Sequence, residues 1–340
     1  MAKRPVSRSV LYYKRMIALT LTLVLLALTA LSIVLGVQLY AASTALSEAE
    51  DTVFRYEIAE MQRRAEEEAE RLRNAIPPEQ PKPEGEQSAA EILASNPIVA
   101  HALGTVDGVE GLNCLEGFKA YYDKGVRVFE VDLRMTSDGC VVLRHDWIGN
   151  VQDGVDQTHI PTLDEFLSKP ILDKYTPLSF HDLLLLMAQY PDICVITDTK
   201  FMDAEPVTVQ FHAMLEEAHK LGMTYLFDRM VIQIYSPEHF RVVDGLYHFP
   251  HYIYTLYQEE FGQTEEAFRR KAVFCEENGI MGIALWNEWW DADYFPIADW
   301  RHIKVFVHTV NSPSTAQRLL RGGVTGVYSD TLLPASLEEG

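Results

Sequence analysis

Cysteine is scarce in this 340-residue chain. The four present, Cys114, Cys140, Cys194 and Cys275, are scattered without metal-ligand spacing and are too few to build a disulfide scaffold. Basic side chains are also short: 29 Lys and Arg face 49 Asp and Glu, for a net charge of −20. A surface that acidic repels nucleic acid at long range and argues against a DNA- or RNA-binding role. No glycine-rich dinucleotide or phosphate loop follows any strand-like run, which counts against an open doubly wound sheet, the second-ranked architecture. What the chain does have is apolar residues, 48% of the total, enough for a large folded core and too many for a disordered or collagen-like chain.

Charge is missing altogether between residues 16 and 47, and residues 16–37 are almost wholly apolar. As a helix that run rises about 33 Å, enough to cross a hydrocarbon core of about 30 Å. A cleaved signal peptide is the alternative, since Ala41, Ala42 and Ser43 are small. A signal core is usually about 7–15 residues, however, and this run is longer. Lys3, Arg4, Arg8, Lys14 and Arg15 precede it, and Glu48, Glu50 and Asp51 follow. The positive-inside rule then predicts a basic cytoplasmic tail (1–15), a transmembrane anchor (16–42) and everything beyond outside the cytoplasm. The expectation is a single-pass cell-membrane protein.

Residues 43–76 read as a charged helical stalk with a narrow apolar stripe through Phe54, Ile58, Met61, Ala65, Ala69, Leu72 and Ile76. The stripe suits either a coiled-coil homodimer or a single stalk helix. Pro77, Pro78, Pro81 and Pro83 stop it and open a Pro-rich linker, 77–95. In 96–340, β-rich runs at 98–103, 126–135, 140–145, 193–200, 230–235, 252–257, 280–286, 303–310 and 326–328 alternate with amphipathic helical segments. Continuous apolar strands joined by crossover helices predict an α/β (β/α)8 TIM barrel.

In such a barrel reactive side chains gather at the C-terminal strand ends. His101 ends the first run. Glu130 and Asp132 lie two apart on the second, so the pleat aims both to one side. His145 and Asp146 end the third, and Asp198 and Lys200 the fourth. Singly, each has an ordinary reading as an ion-paired or hydrogen-bonded strand end. Together, Glu130, Asp132 and Asp198 make an oxygen site for a hard divalent ion, Mg²⁺ or Ca²⁺, and leave His101 and His145 for proton transfer.

These residues sit in stretches that resemble the glycerophosphodiester phosphodiesterase family, of the phosphatidylinositol-specific phospholipase C-like superfamily. The stretches are Ala-His101-Ala-Leu-Gly104, Phe129-Glu130-Val-Asp132 through Thr136-Ser-Asp138-Gly139, Leu-Arg-His145-Asp146, Thr-Asp198-Thr-Lys200, Val307-His-Thr-Val-Asn311 and Gly326-Val-Tyr-Ser-Asp330. The likeness spans residues 97–332, the whole predicted barrel. It implies a metal held by Glu130, Asp132 and Asp198, His101 and His145 as the acid/base pair, and Lys200 near the phosphate of a phosphodiester small molecule or phospholipid.

Two departures stand out. Where the family has His-Arg-Gly this chain has His101-Ala102-Leu103, and its usual third Glu is Asp198, one methylene shorter. Asp-x-Lys there is similar to the sphingomyelinase D group, whose lyase chemistry would release a cyclic phosphate. Arg134, which shares strand parity with Glu130 and Asp132, is the candidate replacement cation. Trp286 is the candidate aromatic wall for a head group. A catalytically weak envelope binding protein is the remaining alternative.

Overall fold

A computed structural model describes residues 82–147, 159–258 and 263–338, together with Arg63. The predicted tail and anchor, and the stalk apart from Arg63, lie outside the described residues. Among the described residues no helix is long and apolar enough to cross a membrane.

Eight parallel strands close on themselves. In chain order they are β1 (Ile98–Ala100), β2 (Val128–Met135), β4 (Cys194–Asp198), β5 (Met230–Ile234), β6 (Tyr252–Thr255), β7 (Gly282–Trp286), β8 (Lys304–His308) and β9 (Gly326–Ser329). β1 pairs in parallel with both β2 and β9, which seals the cylinder. The interposed helices include α2 (Leu115–Tyr122), α3 (Leu163–Ser168), α4 (Phe180–Gln189), α5 (Ala204–Leu221), α6 (Pro237–Leu246), α7 (Glu265–Glu277), α8 (Phe295–Trp300) and α9 (Pro313–Arg321). Sequence sets their starts. Thr162 with Glu165 and Ser179 with Asp182 form capping boxes, and Ser236-Pro237 and Ser312-Pro313 place a cap ahead of a proline in the first turn.

The strand residues alternate between two apolar clusters. Ile98, Phe129, Val131, Val195, Ile232, Tyr254, Ile283, Val305 and Val327 point outward onto the helices. Val99, Val128, Cys194, Ile196, Val231, Ile253, Ala284, Phe306 and Tyr328 fill the interior. Both faces are dry, hence the unbroken apolar runs. Residues 89–95 of the predicted linker segment form α1 (Ala89–Ser95), capped by Ser88 and Glu91. Its Ala89, Ile92 and Leu93 join the interior cluster. Nearby, Arg229, fully buried, donates to the carbonyls of Met187, Tyr190 and Ile193 and pairs with Glu86 at 3.2 Å.

The run at 140–145 is not a barrel stave. β3 (Val141–Leu143) lies antiparallel on the end of β2, with Leu133 opposite Leu143 and Met135 opposite Val141. Only a tight turn through Asp138 and Gly139 (φ 83°) separates the two strands, far too short for a parallel crossover of a dozen or more residues. The first run is also cut short. β1 ends at Ala100, and His101–Leu103 form one tight turn with φ 47° at Ala102, 64° at Leu103 and 92° at Gly104. Gly104 is required there: a Cβ would fall 2.5 Å from the Tyr121 ring.

Candidate active site

The interior parity runs on to the C-terminal mouth. Counting by twos from the apolar interior leads from Val99 to His101, from Val128 to Glu130 and Asp132, and from Ile196 to Asp198. The same step leads from Gln233 to Tyr235, Thr255 to Tyr257, Ala284 to Trp286, Phe306 to His308 and Tyr328 to Asp330. Seven of the eight predicted site residues line one cavity of about 320 Å³: His101, Glu130, Arg134, His145, Asp198, Lys200 and Trp286. The eighth, Asp132, is fully buried and meets the cavity through its ion pair with Lys200.

The carboxylates of Glu130, Asp132 and Asp198 each offer an oxygen, all within 4.8 Å of one another, and all three residues are buried. Glu130 Oε2 accepts the Ala102 backbone N–H at 2.8 Å, a bond made available by the turn after β1. Among the described residues no hydrogen-bond donor reaches its buried Oε1. Burial and the neighbouring Asp132 charge push Glu130 up to about 8. Burial also acts to raise Asp132, but the charges of Lys200, His145 and His101 outweigh it and hold that carboxyl low. Asn113 grips Asp132 twice, donating Nδ2 to Oδ2 at 2.7 Å and accepting the Asp132 N–H at 3.0 Å. Lys200, at φ 54°, sets Nζ 2.7 Å from Asp132 and 2.5 Å from Asp198. Three clustered carboxylates, one with an orphaned buried oxygen, and an all-oxygen donor set fit a hard divalent cation.

Both predicted histidines are braced at Nδ1. His101 Nδ1 lies 2.8 Å from Asp330 Oδ1, while its Nε2 is 3.9 Å from Glu130. Asn311 holds Asp330 in turn, donating to Oδ2 at 2.7 Å and accepting the Asp330 N–H at 2.9 Å. Burial acts to lower His101, yet the Asp330 bond and the charges of Glu130 and Asp132 lift it to about 9. A cation among the carboxylates would cancel part of that lift. His145 Nδ1 lies 2.5 Å from Asp146, which is also 2.5 Å from an Arg134 guanidinium nitrogen. Arg134 donates its Nε to the His145 carbonyl at 2.9 Å. The guanidinium offered as a phosphate ligand is thus already engaged with the turn that carries His145.

The opposite wall is aromatic. Trp286 is 38% exposed and its ring lies 4.3 Å from that of His308, with Tyr257 edge-on to His308 at 5.1 Å. Burial pushes His308 down to about 3, so it stays a neutral ring. Asp330, His308, Tyr235 and Tyr257 also stand at this mouth, beyond the residues whose motifs point to chemistry. The interior parity was the signal that could have found them. All four cysteines are free thiols, and three are buried.

Carboxylates and imidazoles gathered at the C-terminal mouth of a closed parallel barrel make this a (β/α)8 enzyme. A comparison with protein families matches residues 110–333 to the glycerophosphoryl diester phosphodiesterase family. The chain belongs to that family, and it is a phosphoric diester hydrolase.

Solved structures share the fold. An Oleispira antarctica phosphodiesterase in complex with the product sn-glycerol-3-phosphate is 17% identical at a TM-score of 0.58, over 74% of this chain and 100% of that one. A glycerophosphodiester phosphodiesterase from Parabacteroides distasonis is 16% identical at 0.57, over 72% and 95%. Another from Agrobacterium tumefaciens is 12% identical at 0.53, over 69% and 96%. No curated protein matches.

Proposed function

We propose that the chain is a membrane-anchored, divalent-metal-dependent phosphodiesterase that cleaves glycerophosphodiesters or related phospholipid head groups by histidine acid/base catalysis. One observation carries this reading: a cluster of three buried carboxylates, two of which line the cavity, stands beside two imidazoles in that cavity, each braced at Nδ1 by its own carboxylate. A phosphodiesterase of the same fold holding sn-glycerol-3-phosphate supports the glycerol phosphodiester class.

Glu130, Asp132 and Asp198 would hold Mg²⁺ or Ca²⁺. When bound, such an ion polarises a phosphoryl oxygen and offsets the charge that builds in the transition state. The remaining steps belong to the side chains. With Nδ1 committed, His101 and His145 each keep Nε2 for the substrate. One imidazole takes the proton of the attacking hydroxyl, from the substrate or from water, as its oxygen bonds to phosphorus. The other gives a proton to the leaving alkoxide as the P–O bond breaks. Lys200 adds a compact positive charge beside the phosphate. Trp286, open to the cavity, backs the alcohol. Arg134 holds Asp146 and the His145 carbonyl, and so orients the second imidazole.

Phosphorus NMR of the full chain in detergent, with glycerophosphodiesters, lysophospholipids and added metal, tests the chemistry. A phosphomonoester signal is expected. A cyclic phosphate that persists would make the enzyme a lyase, and binding without turnover would make it a scaffold. For the anchor, the uncharged apolar run at 16–37 with the basic residues before it supports one membrane pass with the barrel outside the cytoplasm. The chain should stay in the membrane pellet through an alkaline wash; release into the supernatant would overturn the anchor.

A further inference from the structure

Among the described residues three side-chain donors reach the Asp198 carboxylate, against two for Asp132 and a single backbone N–H for Glu130. The Tyr235 hydroxyl donates to Oδ1, and Oδ2 accepts from the Tyr257 hydroxyl at 2.8 Å and from Lys200 Nζ at 2.5 Å. Both tyrosines stand on the interior parity, one residue past the end of β5 and two past the end of β6. Their rings are fixed independently of those bonds. Tyr235 packs against His239 at 5.2 Å, and Tyr257 against His308 at 5.1 Å and Trp286 at 5.9 Å.

We propose that Tyr235 and Tyr257 are positioning residues for the cation site: their hydroxyls, one on each oxygen, fix the plane of the Asp198 carboxylate and thereby set the affinity for a divalent ion. The proposal rests on the reading of Glu130, Asp132 and Asp198 as the metal cluster. A carboxylate turns freely about its terminal bond unless both oxygens are tied. Without the two hydroxyls, the Lys200 ammonium is the remaining donor on Asp198 among the described residues, and it would draw the carboxylate toward itself. Phenol hydroxyls aim the group without supplying a full positive charge that competes with the ion. The tyrosines meet Asp198 from just beyond the ends of two adjacent strands, β5 and β6. Outer partners of metal-binding carboxylates are worth about 10–100-fold in affinity.

The test is calorimetric titration of the full chain in detergent with Mg²⁺ and with Ca²⁺, for wild type, Tyr235→Phe and Tyr257→Phe. Melting temperatures in EDTA accompany it. Each phenylalanine keeps its ring, so metal-free melting should hold while affinity falls about 10–100-fold. Wild-type affinity in both variants would overturn the proposal and leave the metal cluster standing. Metal-free melting lowered with affinity intact would overturn it too, since the rings would then only pack. A wild-type chain that takes up no cation would overturn the metal cluster itself, and this inference with it. If one variant fails to fold, the other carries the comparison.

Discussion

His101 and Asp330, 229 residues apart in the chain, meet Nδ1 to Oδ1 at 2.8 Å, where β1 and β9 close the barrel. The aspartate holds the imidazole so that Nε2 faces the cavity, and it raises the ring's basicity. Asp330→Asn keeps the shape and removes the charge. Turnover should fall by about 10²–10⁴, and the limb of the pH–rate profile set by His101 should move to lower pH. Steady-state kinetics across pH would show both; an unmoved limb would detach Asp330 from the imidazole's titration.

The second imidazole hangs on Arg134 through Asp146. His101→Ala and His145→Ala should each cost at least about 100-fold in kcat. Arg134→Ala should cost less, about tenfold, through a loosened His145. If Arg134→Ala raises KM and leaves kcat alone, the guanidinium binds phosphate after all.

Stability of the metal-free protein should fall as pH rises. Glu130 is lifted from 4.5 to about 8 in the fold, so from pH 4.5 up to 8 the unfolded chain ionises this group while the fold keeps it protonated, and stability is lost across that range. His101 is lifted from 6.5 to about 9, so its stabilising contribution, complete below 6.5, is lost as pH rises through 9. Both act in the same direction. Melting in EDTA should therefore drop between pH 6 and 9, and saturating Mg²⁺ or Ca²⁺ should flatten the drop. EDTA should also abolish turnover, with either ion restoring it. Full activity in excess chelator would remove the metal from the reaction.

Gly104→Ala should destabilise the barrel by about 2–4 kcal/mol in urea unfolding. The new Cβ would meet the Tyr121 ring at 2.5 Å, and φ is 92°. Since the Tyr121 hydroxyl donates to the Asp330 carbonyl at 2.5 Å, activity should fall further than stability alone explains.

The barrel was legible because parallel strands buried on both faces leave continuous apolar runs, and the acidic pair on β2 because a pleat repeats every two residues. β3 was misplaced because its composition matches that of a stave; only the length of the Thr136–Cys140 turn betrays the hairpin. α1 hid beside a proline-rich stretch and is short. Tyr235 and Tyr257 escaped notice because tyrosine at a strand end reads as packing, and nothing local tells that its hydroxyl reaches a carboxylate on another strand. The bracing of His101 by Asp330 is closed by topology, between the first and last staves, which no neighbouring residues announce.

Side chains fill the barrel interior and Ile92 and Leu93 pack against them, so among the described residues the reactive groups are reached at the C-terminal mouth. A diester and the monoester it yields would then occupy the same pocket in turn, and inhibition by product should compete directly with substrate.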